Sequence, residues 1–210
     1  MVVRAVAFDA VGGFDPVLRV GEDVDFVWRL DQAGWRCRYE PGATVSHRPR
    51  PTFAAQLAQQ MKYGSSSGPL AMRHPTAMAP WRGSIAMAVM WCAAAVGRPV
   101  VALLAGAGSI GQFVRGADSL RPTEAARVAF AGHIAAAKQL PVAIRRAWWP
   151  LLVPMLWSRR ARLVLLGALV GDPRRVAKDV AFSVGLWRSS IRCREHCAVV
   201  PSITVGASRR

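Results

Sequence analysis

The sequence predicts an α+β fold, mostly helical, with its few short strands gathered near the start. Three observations carry this. Val24, Val27, Trp28 and Leu30 fall on one face of a segment from about Glu22 to Ala33, and Phe53, Leu57 and Met61 recur every fourth residue. Short β-branched runs bounded by turn residues lie only within the first fifty positions. Beyond them the chain is Ala-rich and apolar, as in Pro122–Leu140, which Pro141 is expected to close.

In order, Val2–Phe8 reads as a strand, and the paired Gly12-Gly13 predicts a tight turn with positive φ. The helix from Glu22 follows, and Gly34 caps it. Strands are expected over Trp35–Tyr39 and Thr44–His47, on either side of a turn at Glu40-Pro41-Gly42. An amphipathic helix covers residues 52–64 and breaks at Ser65-Ser66-Ser67-Gly68-Pro69. Ser84–Gly97 and Val100–Val114 are apolar runs of 14 and 15 residues that flank Arg98-Pro99. Each is shorter than the ~20 residues a bilayer core requires, so the favoured arrangement is a hairpin of two short helices. Trp148–Trp157 is an apolar decapeptide ended by tryptophans, with Arg145, Arg146, Arg159, Arg160 and Arg162 outside it, a pattern suited to lipid headgroups. The last helix, Pro173–Arg192, is expected to bury Val176, Val180, Val184 and Trp187 as one stripe.

Charge divides the chain. Residues 1–51 hold seven basic and seven acidic side chains, so the net charge of +16 over 210 residues resides entirely in residues 52–210. A region both basic and apolar points to a membrane with anionic lipids as partner, and not to nucleic acid. A composition that is 52% hydrophobic excludes disorder, and four cysteines are too few for a disulfide scaffold. The organisation read from these shifts is 1–51 mixed, 52–82 amphipathic helix and linker, 83–115 apolar hairpin, expected to be transmembrane, 116–195 basic and helical, and 196–210 an irregular tail.

Glu22 and Asp23 stand in the first turn of a helix. Acids there complement the helix dipole by up to ~1 kcal/mol and need no further role. Asp25 and Arg29 form an i,i+4 pair. A carboxylate at such an end can also take a proton from a hydroxyl held against it.

The ordered string Val11-Gly12-Gly13-Phe14-Asp15, Gly21-Glu22-Asp23-Val24-Asp25, Trp28-Arg29-Leu30, Glu40-Pro41 and Ser46-His47 resembles the C-terminal, acceptor-side half of family-2 glycosyltransferases with the GT-A fold. Gln59-Gln60-Met61-Lys62-Tyr63-Gly64, Arg145-Arg146-Ala147-Trp148-Trp149-Pro150 and Asp179-Val180-Ala181-Phe182 narrow the resemblance to the mycofactocin-system glycosyltransferases. The resemblance implies a partial GT-A half followed by a helical membrane-associated region. It implies that Asp23 is the general base of an inverting transfer and that Glu22 supports it. Gly12 and Gly13 would pass the donor sugar, Lys62 and Tyr63 would lie near the donor diphosphate, and His47 near the diphosphate and its metal. It further implies a divalent metal (Mg or Mn), a nucleotide sugar donor with UDP-glucose foremost, and a glycan or peptide-derived acceptor. The location implied is the cell membrane, with the catalytic part cytoplasmic. The rival reading is a non-catalytic, basic, membrane-associated helical protein in which Glu22 and Asp23 only cap a helix.

No donor-binding βαβ half is legible, and the one Asp-x-Asp, Asp23-Val24-Asp25, belongs to the helix. The expectation is therefore a piece of a longer enzyme that is inactive by itself, since positioning the donor is a large share of catalysis. Two patterns are weaker. Gly106-Ala107-Gly108-Ser109-Ile110-Gly111 fits a dinucleotide fingerprint but lacks the second strand and its acid. Cys193-Arg194-Glu195-His196-Cys197 offers three soft ligands where structural zinc takes four.

Overall fold

The computed structural model describes residues 1–46 and 50–204 and divides the chain into two compact units. The first holds residues 1–78 and 177–198, and the second holds 79–176 and the chain from 199 onward.

In the first unit, α1 (Ala5–Ala10) leads into the Gly12-Gly13 turn, and α2 (Glu22–Gln32) follows. Both glycines have positive φ, as the pair predicts, and Gly13 has a second constraint. A Cβ there would lie 2.7 Å from the Phe8 ring, which packs with Phe14 and Phe26 at centroid separations of 5.8 and 5.3 Å. Helix α2 ends in two reversed hydrogen bonds, Gly34 N–H to Asp31 C=O and Trp35 N–H to Leu30 C=O, with Gly34 in the left-handed region. Ala7, Phe26 and Leu30 form the buried cluster, and Val3, Val11 and Trp35 pack against it.

Three strand expectations are corrected here. Val2–Phe8 is largely helical, and Trp35–Tyr39 and residues 44–46 form no ladder. A strand is held by hydrogen bonds to a neighbour, and none of these segments has one among the described residues. Met1–Arg4 and Gly34–Tyr39 instead line one open cavity of about 860 Å³.

Helix α3 (Phe53–Gly64) starts at Thr52, whose hydroxyl accepts from Ala55 N–H at 3.2 Å. The break expected over Ser65–Pro69 is confined to Ser65 and Ser66, since Ser67, Gly68 and Pro69 already form the first turn of a short helix, α4 (Ser67–Arg73), where proline's missing N–H is not needed. Both belong to the unit that also contains most of α10 (Pro173–Cys193). The expected valine stripe does not form the buried face of α10, since Val184 is 46% exposed. The buried positions are Asp179, Ser183, Gly185, Leu186, Ser189 and Ser190. Small residues dominate because the helices approach backbone to backbone. A Cβ on Gly64 would overlap the Phe182 carbonyl, and one on Gly185 the Met61 carbonyl. We expect Gly185→Ala to destabilise the protein by about 1–3 kcal/mol or more by prying α3 from α10. The helical Gly132, with nothing within 4 Å, should gain roughly 0.5–1 kcal/mol on the same change. Thermal melts of both variants check this, and equal effects would contradict the close crossing.

The second unit opens with β1 (Arg82–Ser84). The Ser84 hydroxyl caps α5 (Ile85–Ala95) by accepting from Met87 N–H. After a turn at Val96–Arg98, α6 (Pro99–Gly116) packs back against α5 as the expected hairpin. The transmembrane reading of 83–115 is not supported. Among the described residues no helix is long and apolar enough to cross a membrane. The 11 residues of α5 rise only about 16 Å. Ser109, Gln112 and Arg115 interrupt α6.

Helix α7 (Pro122–Ala143) runs through Pro141 instead of stopping there, and continues as a π-helical turn over Ile144–Trp148. The widened turn follows directly on the place where proline removes an α-helical hydrogen bond. Ala143, Ile144 and Ala147, all buried, hold it against the unit. After α8 (Trp149–Leu152) and a 3₁₀ turn comes α9 (Arg159–Leu169). Arg145, buried, donates to the Ala168 carbonyl at 2.6 Å in the last turn of α9. Trp81, Ala136 and Ala143 form the core with Trp91 and Trp148. The stretch expected to be irregular carries β2 (Ser202–Thr204), which pairs in parallel with β1, Arg82 opposite Ser202.

Candidate active site

Gly21 precedes α2 with φ of +84°, and this left-handed residue turns the chain so that Glu22 and Asp23 occupy the first turn. A Cβ on Gly21 would sit 3.0 Å from Leu70 Cδ1 and Ser66 Cβ, so the start of α2 abuts the α3–α4 corner. Asp23 is exposed, and Glu22 is half-buried. The Oδ1 of Asp23 accepts from Val24 N–H at 2.9 Å, which leaves its second oxygen without a described partner.

Asp25, two residues on, is completely buried and fully engaged. It accepts from Arg29 Nε at 2.8 Å, His74 Nε2 at 2.9 Å and Arg73 Nη1 at 3.5 Å. Burial pushes its carboxyl up, but the hydrogen bonds from His74 and Arg29 and the charges of Arg29 and Arg73 outweigh that and hold it below the usual carboxylate range. Gln32 Nε2 lies 3.0 Å from His74 Nδ1. With the amide donating there, the ring carries a proton on Nε2 and gives it to Asp25. Trp28 stacks edge-on against His74 at 5.1 Å.

The network reaches the glycine turn. Arg29 donates to the carbonyls of Val11 and Gly13, the latter at 2.7 Å. Arg73 also pairs with Asp15 Oδ2 at 2.6 Å. Asp15 is held below its usual value by the Val17 N–H and then by Arg73. Thus Asp25 fixes α2, the turn at Gly12-Gly13 and the end of α4 as one piece. The outward-facing Asp23 stands on that anchored helix.

The i,i+4 pairing of Asp25 with Arg29 was legible in the sequence, but Asp15, Gln32, Arg73 and His74 were not singled out. Arg73 and His74 lie 48 and 49 residues beyond Asp25, and no local spacing announces such a contact. Lys62 and Tyr63 occupy the last turn of α3, both exposed, and the Tyr63 hydroxyl accepts from Gln59 Nε2 at 2.7 Å. Among the described residues no hydrogen bond or ion pair joins Glu22 or Asp23 to Gly12, Gly13, Lys62 or Tyr63. His47 lies outside the described residues.

A sequence model described as glycosyl transferase family group 2 matches residues 1–169, more than three quarters of the chain. The chain belongs to that family. It is also 36% identical, over 97% of its length, to pre-mycofactocin glycosyltransferases of Mycobacterium tuberculosis strains CDC 1551 / Oshkosh and ATCC 25618 / H37Rv. The match covers 50% of each of those proteins, so the chain spans about half the length of these curated relatives. No solved structure matches.

Family-2 glycosyltransferases act on nucleotide sugars, often with a divalent metal. The described residues do not build a metal centre. No group of three His, Cys, Asp or Glu side chains converges among them, and the Asp-x-Asp sequence cannot serve because Asp25 is committed to Arg29, His74 and Arg73. The Gly-x-Gly-x-x-Gly string lies within α6, where Gly106 lets Met90 of α5 approach, so it forms no phosphate loop.

Proposed function

We propose that this chain supplies the acceptor side of an inverting glycosyltransferase that moves a hexose, glucose foremost, from a nucleotide sugar such as UDP-glucose to an acceptor hydroxyl. The supporting observation is the pairing of one exposed carboxylate, Asp23, with a buried anchor, Asp25, on the same short helix. Asp23 takes the proton of the acceptor hydroxyl as its oxygen bonds to the anomeric carbon. The bond from that carbon to the diphosphate oxygen breaks, and the nucleoside diphosphate leaves. Glu22 orients the acceptor, and the Gly12-Gly13 turn passes the donor sugar. Lys62 and Tyr63 lie toward the diphosphate, and by the family resemblance His47 would serve the diphosphate and its metal. A divalent ion of the kind the family often uses would neutralise charge on the leaving diphosphate.

The acceptor is a glycan or peptide-derived molecule, and the relatives' name, pre-mycofactocin glycosyltransferase, makes pre-mycofactocin the first to try. Turnover needs a donor-binding half, and the chain by itself is expected to be inactive. The test is sugar transfer by Asp23→Asn with a relative's donor-binding half supplied.

We place the reaction on the cytoplasmic face of the cell membrane. In the second unit Leu103 and Leu104 on α6 and Trp157 before α9 are at least 70% exposed, and Arg159, Arg160 and Arg162 follow Trp157. That mixture suits an anionic lipid surface. Flotation with phosphatidylglycerol vesicles should recover the chain, and Trp157→Ser with Leu103→Ser should reduce recovery severalfold. Recovery unchanged by both substitutions would overturn the lipid contact.

A further inference from the structure

The glycine-mediated crossing of α3 and α10 leaves a cavity of about 530 Å³ along their flanks, within the first unit. Three cations line it, Lys62 from α3 and Arg188 and Arg192 from successive turns of α10, and no acidic residue does. Among the described residues no carboxylate pairs with any of the three. The hydroxyls at the cavity are already used. Ser65 donates to the Lys62 carbonyl at 2.6 Å, and Ser189 donates to the Leu186 carbonyl at 3.0 Å while accepting from Gly68 N–H at 3.1 Å. The charges that line this concavity are therefore all positive.

We infer that this groove binds a phosphate-bearing ligand, with Arg188 and Arg192 clasping the phosphate oxygens and Lys62 adding a charge from the facing helix. Guanidinium forks match the tetrahedral oxygens of phosphate, and a lysine acts beside them as a mobile point charge. Three exposed cations around one concavity, with no described carboxylate partner, give it a positive potential that favours an anion. The rest of the lining, Ala58, Met61 and Pro69 among it, is apolar and leaves room for an uncharged portion of the ligand. Both arginines lie on α10, beyond the residues 1–169 that the family model matches. Lys62 is also the residue placed toward the donor diphosphate in the proposed function, so its part rests on that reading; the arginine pair does not, and the readout is binding rather than turnover.

The phosphate can come from a soluble diphosphate or from a lipid headgroup, and two titrations separate these sources. Inorganic pyrophosphate is titrated calorimetrically into the full chain, and phosphatidylglycerol vesicles are compared with phosphatidylcholine vesicles in a sedimentation assay. Arg188→Gln with Arg192→Gln should weaken binding by about tenfold or more. Arg174→Gln with Arg175→Gln, an equal charge loss at the exposed start of α10, should leave it within about twofold of wild type. Loss confined to the pyrophosphate arm identifies a soluble ligand, and loss confined to the phosphatidylglycerol arm a lipid headgroup. Lys62→Gln, on a separate helix, repeats the test should the double variant fail to fold by circular dichroism, and there too binding should fall severalfold. Absence of saturable binding in both arms, or equal loss in the two double variants, overturns the inference.

Discussion

Replacing Asp25 by alanine is expected to cost about 3 kcal/mol of stability, at the low end of the range for breaking a buried ion pair. The loss is large because the carboxylate has three partners, and removing it leaves His74 buried with an unanswered N–H. It falls at the low end because Arg29 is a quarter exposed and keeps its bonds to the Val11 and Gly13 carbonyls. For a chain of this size the thermal midpoint should drop by roughly 6–12 °C. Acid adds a second signature. The folded-state pKa of Asp25 is depressed, so its contribution is fully present above the unfolded value of about 3.9 and fades as pH falls through the folded value. Asp15 acts in the same direction. Wild-type stability should therefore decline below about pH 4, and the decline should be shallower in Asp25→Ala. Identical acid profiles for the two proteins would show that the network does not hold the fold.

Neutralising Asp23 is the second large expectation, and its effect should be the opposite in kind. Asp23 is exposed and bonds only to its neighbour's N–H, so Asp23→Asn should cost no more than the ~1 kcal/mol that its charge contributes at the helix end. A general base contributes about 10²–10⁴-fold to rate, so transfer should fall by that factor. The two aspartates thus separate cleanly. Asp25 sets where the helix stands, and in the proposed function Asp23 does chemistry from its outer side.

Much of this was legible in the chain, and the exceptions share a cause. The α2 helix, its Gly34 end and the positive φ of Gly12 and Gly13 follow from short-range rules, and they stand as read. The α5–α6 hairpin follows equally from Arg98-Pro99 between two apolar runs. Val2–Phe8 and Trp35–Tyr39 have strand composition, yet a strand exists only beside a partner, and none is among the described residues. The buried face of α10 was hidden because a search for an apolar stripe passes over serine and glycine, the residues that a close helix crossing selects. Pro141 misled through its usual role as a terminator, which the widened turn at Ile144–Trp148 overrode. At the site, the family string led to Asp23 and Glu22, whereas the Arg73-His74 clasp on Asp25 arises only when α4 folds back on α2.

The most direct measurement is the single-turnover rate of sugar transfer by Asp23→Asn, with donor binding and thermal midpoint recorded on the same protein. The mechanism predicts a rate at least about a hundredfold below wild type, with binding unchanged and the midpoint within about 4 °C of wild type. A rate within a few-fold of wild type would show that the proton leaves the acceptor by another route, and Asp23 would not be the base.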